Sequence, residues 1–450
     1  MNEKNYHTLL DLGDGLIMRK GSALDADKLA SFNGRMHSDE GPEQPHEGVA
    51  AWAQDLLSKS HPTFKPDNFT VVEDTHSGEI VSSMYIISQT WSYAGVPFGV
   101  GRIEMVGTHP EYRNRGLIRA QFDIIHEWSS KRAEKMQAIA GIPYYYRQFG
   151  YEMGLNLGGG HYGYKPDIPK LKDNEGEPYK IRSAKVGDLN FISNLINRIA
   201  GKRSLVNCIR EKALWLYELK GKSENNITRM KICIIEDSEK KPIGYLAHPE
   251  NLWGSRMVAV GYEVASGNSW AAVTPTVLRY LYAAGETYAN RKQKLDELGM
   301  VGFWLGEEHP VYEVTGEILP RRKKQYAWYV RLPDLIDFIK LITPVLEQRL
   351  TESSFTGQTG EYKITFYRKG IHLVFEKGRL TEITTWEPTP QGHSGDAAFP
   401  EQTFLQFLFG YRDLNELNHA FPDCWWENDE IFGFLSAIFP KKHSNVWSVS

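Results

Sequence analysis

Arg113-Asn114-Arg115-Gly116, set between a strand and a helix, is the part of this 450-residue chain whose residue types most directly imply chemistry. Glu104, Met105 and Val106 lead towards it on a predicted strand. Gly107 and Thr108 continue the approach, Pro110 ends the strand by removing an N–H donor, and helical spacing runs from about Gly116 to Glu134. The first N–H groups of such a helix have no intrahelical partner and lie at the positive end of its dipole. A pyrophosphate fits there without a metal, with Arg113 and Arg115 adding charge around it. The turn is not a P-loop, because Leu117 and Ile118 follow Gly116 where a lysine and a hydroxyl residue are required. With a single glycine it is not a dinucleotide fingerprint either. The competing reading is a solvated basic loop that opens an ordinary helix.

The elements that must position this turn follow from periodicity. A strand is expected at 15–19, then a helix capped by Asp25 with Leu29 and Phe32 on one face. Runs at 69–73 and 80–87 flank a turn-rich connection and read as a hairpin. The helix after Gly116 carries Leu117, Gln121, Ile124 or Ile125, and Trp128 at helical spacing, and 137–141 returns as a buried strand. The order suits one α/β layer over residues 1–165. Residues 166–330 repeat it, with a strand and capped helix at 179–196, a hairpin at 231–246, a strand at 261–264 and a helix at 276–290. Its turn, Ala265 to Trp270, has no arginine and no matching glycine, so this copy is read as degenerate. Residues 331–450 read as α+β: a helix from Leu332 to about Leu350, a three-strand meander, then helices at 400–409, 414–420 and 429–439. Phe404, Phe407, Phe409 and Phe432 read there as core.

Composition bounds the function. At 41% hydrophobic and 24% charged, the chain can bury more than one core. A net charge of -4 argues against bulk nucleic-acid binding. Cys208, Cys233 and Cys424 are odd in number, far apart and without metal-ligand spacing, which fits a reducing compartment. Residues 1–20 hold no apolar signal core, and no window is long enough to span a bilayer, so a cytoplasmic protein is expected.

The turn resembles the acyl-CoA loop of the GNAT superfamily of N-acetyltransferases, whose pattern is Gln/Arg-x-x-Gly-x-Gly/Ala between a strand and a helix. Arg113-x-x-Gly116 matches, with Ile118 at the last position. The segment Tyr146-Arg147-Gln148-Phe149-Gly150-Tyr151 is similar to a second signature of that family. Together with Pro110-x-Tyr112-Arg113-x-Arg115-Gly116-Leu117-Ile118-Arg119, and with the order of the three regions, the chain resembles the Eis (enhanced intracellular survival) type.

The resemblance implies tandem GNAT folds, each a mixed sheet flanked by helices, and a C-terminal domain like sterol carrier protein. It implies acetyl-CoA as acyl donor, no metal, direct transfer to an amine in a ternary complex, and a ring-like homo-oligomer such as a hexamer. It puts the donor site on Val106, Gly107, Thr108, Arg113, Asn114, Arg115, Gly116, Leu117 and Ile118. Glu104 stands where many such enzymes keep the base; the same carboxylate is also open to a plain ion pair with Arg102. Tyr146 stands where the acid is kept, with Tyr144 and Tyr145 as rivals, and the terminal carboxylate of Ser450 is the competing base. A cationic acceptor is implied: an aminoglycoside, a polyamine or a lysine. Asp39, Glu40 and Glu43, in the acidic stretch 36–47, form either a wall that attracts it or a solvated loop. The competing function is a CoA- or lipid-binding protein without catalysis.

Overall fold

The structure is a computed structural model that describes residues 8–290, 297–388, 395–400 and 402–447. Strands β1 (Thr8–Gly13), β2 (Leu16–Lys20), β3 (Phe69–Asp74), β4 (Glu79–Tyr93) and β5 (Val96–Thr108) form an antiparallel run. β6 (Met136–Ile139) follows in parallel to β5, and β7 (Glu152–Leu157) closes the far edge. Between β6 and β7 lies a strand from far downstream, Tyr326–Arg331, antiparallel to both. Val206–Ile209 pairs with the end of β4, and Gly160–Tyr164 leaves the first sheet to join Met300–Phe303 and Arg321–Lys323. The first and second regions thus exchange strands across the boundary near residue 165.

Side-chain alternation along β4 sorts the two faces. Tyr85 and Ile87 face helices α1 (Ala26–Met36) and α2 (Glu47–Ser58), packing with Phe32, Trp52 and Leu56. Met84 and Ile86 face the other side, where Phe122 and Ile125 of α3 (Leu117–Lys131) cover them. In the third region, the helix Leu335–Thr351 packs on a five-strand sheet with helices Thr403–Leu408, Leu414–Ala420 and Asp429–Ile438. Phe404, Phe407 and Phe409 are buried in its core, and Phe432 packs against it half-buried.

The second region carries the mark of duplication in one ion-pair motif. Arg19 binds Asp25 (2.7 Å) and Glu73 (2.6 Å), six and 54 residues on. Arg182 binds Asp188 (2.7 Å) and Glu236 (2.6 Å) at the same separations. Asp25 also accepts the Ser22 N–H, and Asp188 the Lys185 N–H. Asp25 therefore does not cap α1 with its side chain, as the sequence suggests; the buried guanidinium and the preceding turn take both of its oxygens. Arg182→Met leaves two carboxylates facing each other without their cation. The expected cost is about 2 kcal/mol, read as a lower urea midpoint for the second region.

Candidate active site

β5 and β6 pair only from Val100↔Met136 to Arg102↔Ala138, and beyond that point they diverge. The divergence coincides with a bulge. Ser83 opposes Gly107 and Tyr85 opposes Glu104, so Met84 faces both Met105 and Val106. Met105 takes the bulge in left-handed backbone, φ 52°. That conformation costs a non-glycine residue of the order of 1 kcal/mol and is a recurrent feature of functional sites. Here it re-aims the strand at the mouth of the gap.

Two cavities open on this gap. The larger, about 740 Å³, runs along the basic turn and the start of α3, and eight of the nine residues from the donor-site expectation line it; the ninth, Arg115, does not, and its guanidinium lies 5.3 Å from the Tyr112 ring centre. Asn114 (φ 63°) and Gly116 (φ 74°) are both left-handed, which gathers successive N–H groups on one side. No side chain caps α3 and no acid stands in its first turn, so the positive end of its dipole is not offset locally. Arg113 is exposed and reaches back to the Thr108 carbonyl oxygen at 3.4 Å. Ile118 is half-buried against the Phe122 cluster, where its bulk is accommodated. Arg119, bonded to Gln148 at 3.1 Å, adds a cation to this cavity that the sequence reading left out of the site.

The smaller cavity, about 230 Å³, lies on the α1–α2 side of the gap and is lined by Glu104. Two N–H groups of Arg102, Nε at 2.9 Å and Nη2 at 2.5 Å, donate to Glu104 Oε1. Both readings of this carboxylate therefore meet in one residue: it is ion-paired and it lines a cavity. Burial raises its pKa more than Arg102 lowers it, so the net direction is upward.

Tyr146 lines both cavities. The segment Tyr145–Phe149 is a 3-10 turn with left-handed residues at both ends, Tyr144 and Gly150. This turn separates the three adjacent tyrosines: Tyr144 is 75% exposed, Tyr145 is half-buried, and Tyr146 is 4% exposed. Tyr329, on the downstream strand inserted beside β6, packs on Tyr146 with ring centres 5.5 Å apart and accepts the Tyr144 N–H. Burial, then the charge of Glu104, pushes the Tyr146 phenol well above its ordinary pKa. Gly141 permits the approach, since a Cβ there would stand 2.9 Å from the Tyr146 hydroxyl oxygen. Gly141→Ala is expected to displace that hydroxyl and lower turnover about tenfold, with the fold retained by circular dichroism.

His37, at the end of α1, also lines both cavities, and burial lowers its pKa. It falls in the stretch 36–47 read from the sequence as a candidate acceptor wall, though it was not singled out there. Asp39, Glu40 and Glu43 are exposed and line neither cavity. Ser450 lies outside the described residues. The tail is held just before it, where the Val446 carbonyl accepts Trp328 Nε1–H (3.0 Å) and the Trp447 carbonyl accepts from Arg210 (3.1 Å). In the second region the matching helix, Trp270–Ala289, spends the Ser269 side chain on its own Ala272 N–H. Among the described residues no group of His, Cys, Asp or Glu is placed to hold a metal, and no helix is long and apolar enough to cross a membrane.

Residues 38–154 match the family model of the acetyltransferase (GNAT) domain. No curated protein matches the sequence. Over nearly the whole chain, the fold is similar to that of a conserved protein of unknown function from Enterococcus faecalis V583, described as a probable N-acyltransferase (TM-score 0.66, 15% identity, 97% of this chain and 100% of that one). It is also similar to a GCN5-related N-acetyltransferase from Anabaena variabilis (TM-score 0.63, 13% identity, 96% and 99% covered). Eis1 from Mycobacterium abscessus shares the fold at TM-score 0.52 and 12% identity, with 87% and 91% covered.

Proposed function

From the premise that residues 38–154 form a GNAT acetyltransferase domain, we propose that the protein transfers an acetyl group from acetyl-CoA to a primary amine by direct attack in a ternary complex. The observation that carries this reading is the pair of cavities meeting at the gap between β5 and β6, one edged by an anion-binding turn and the other by a carboxylate. The pyrophosphate lies against the N–H groups around Gly116, with Arg113, Arg115 and Arg119 about it. The amine enters from the side of Glu104 and attacks the thioester carbonyl as its proton passes to that carboxylate. The C–S bond breaks, and the departing thiolate takes the Tyr146 proton.

The two steps reinforce each other. While Glu104 is charged, it holds the Tyr146 proton in place. Once Glu104 has taken the amine's proton, that restraint disappears, and the phenol becomes a better acid as the thiolate forms. The described cysteines are not placed at this gap, which supports transfer without an acyl-enzyme. Their unpaired state supports a reducing compartment.

Initial rates of CoA release, with acetyl-CoA and an amine varied together, test the proposal. Intersecting double-reciprocal lines and an N-acetylated product by mass spectrometry are expected. Parallel lines overturn direct transfer, and acetyl-CoA binding without consumption by any amine overturns catalysis in favour of a binding protein.

A further inference from the structure

We infer that the acceptor is a compact monoamine on an apolar, alkyl or aryl body, not a polycation; this rests on the acyl-transfer reading above. The acceptor-side cavity, about 230 Å³, is under a third of the donor-side volume of about 740 Å³. Its apolar walls include Val49 and Trp52 from α2, Met105 from the bulge, Ile139 at the end of β6 and Ile142 beyond it. Val49, Trp52, Met105 and Ile139 are each no more than 9% exposed. Such walls favour an apolar body in contact with them.

The charge on these walls points the same way. Glu104 is the one carboxylate among the lining residues, and Arg102 already offsets its charge. His37, whose pKa burial lowers, is neutral or cationic and never an anion, so it supplies no counter-charge to an ammonium. A second or third ammonium in this cavity would be desolvated with no anion to receive it. Asp39, Glu40 and Glu43 do not supply one, since they are exposed and outside the lining.

The test measures kcat/KM for 2-phenylethylamine, n-hexylamine, spermidine and kanamycin at saturating acetyl-CoA. The two monoamines are expected to exceed the two polycations by about 30-fold or more, the value of burying one such side group. Val49→Glu adds a carboxylate to the wall and is expected to narrow that ratio about tenfold. Should this variant not fold, Trp52→Leu gives a second reading, lowering the preference for phenylethylamine over hexylamine. Faster turnover of spermidine or kanamycin by the unaltered protein overturns the inference while leaving acyl transfer standing. Binding of acetyl-CoA with no amine consumed overturns acyl transfer itself, and the inference with it.

Discussion

Glu104→Gln is expected to lower kcat/KM for the amine by about 10²–10⁴-fold, the range attached to a positioned general base. The amide keeps the shape of the side chain and an oxygen for Arg102, so the lost property is proton acceptance. A carboxylate whose folded pKa is raised must lose its proton before it can serve, and the activity of the unaltered protein should therefore rise with pH through that raised value. Glu104→Gln should lose this limb. The sign for stability is opposite to that for activity. A group with a raised folded pKa contributes stability below its unfolded pKa and loses it as pH rises through the folded one. At neutral pH the substitution should accordingly not lower the melting temperature. Melting curves at acid and neutral pH, beside rate profiles over the same range, separate loss of a base from loss of structure. A chain lacking Val449 and Ser450 is the control: if it loses the limb while Glu104→Gln keeps it, the base is the terminal carboxylate.

Tyr146→Phe is expected to lower kcat about 10²-fold, with KM for acetyl-CoA nearly unchanged. The ring stays among Phe122, Tyr145, Tyr151 and Tyr329, so packing is retained and only the buried hydroxyl is removed. The deficit should depend on the leaving group. An acetyl thioester of a more acidic thiol needs less help from an acid and should show a smaller difference between the two proteins. An equal deficit with both thioesters would mean that the hydroxyl positions the donor and does not protonate the thiolate. Tyr144→Phe, at a 75% exposed position outside both cavities, should be close to neutral in the same assay.

The basic turn between strand and helix was legible because its determinants are local: a proline, two arginines and a glycine within seven residues, between elements of different period. Repetition of the strand and helix order was legible for the same reason, and the paired motifs of Arg19 and Arg182 give it a residue-level counterpart. Glu104 could be nominated from its strand, but its environment could not. Arg102 lies two residues away, so the pairing was open to inference, whereas the burial that outweighs it comes from α1 and α2 closing over the sheet.

Sequence by itself determined a basic, glycine-containing turn between a strand and a helix, and that a copy of the fold lacks that turn, since both depend on neighbours in the chain. The resemblance of its segment singled out Tyr146 among three adjacent tyrosines; tertiary structure decided what buries it at the gap, that His37 joins it, and that Asp39, Glu40 and Glu43 do not. The burial of Tyr146 needs Tyr329, contributed by a strand some 180 residues downstream that inserts beside β6. The opening of the gap needs a bulge at Met105 and a parallel pairing that stops at Arg102. Neither has a local signature, because a bulge and a strand exchange are set by how distant segments share backbone hydrogen bonds.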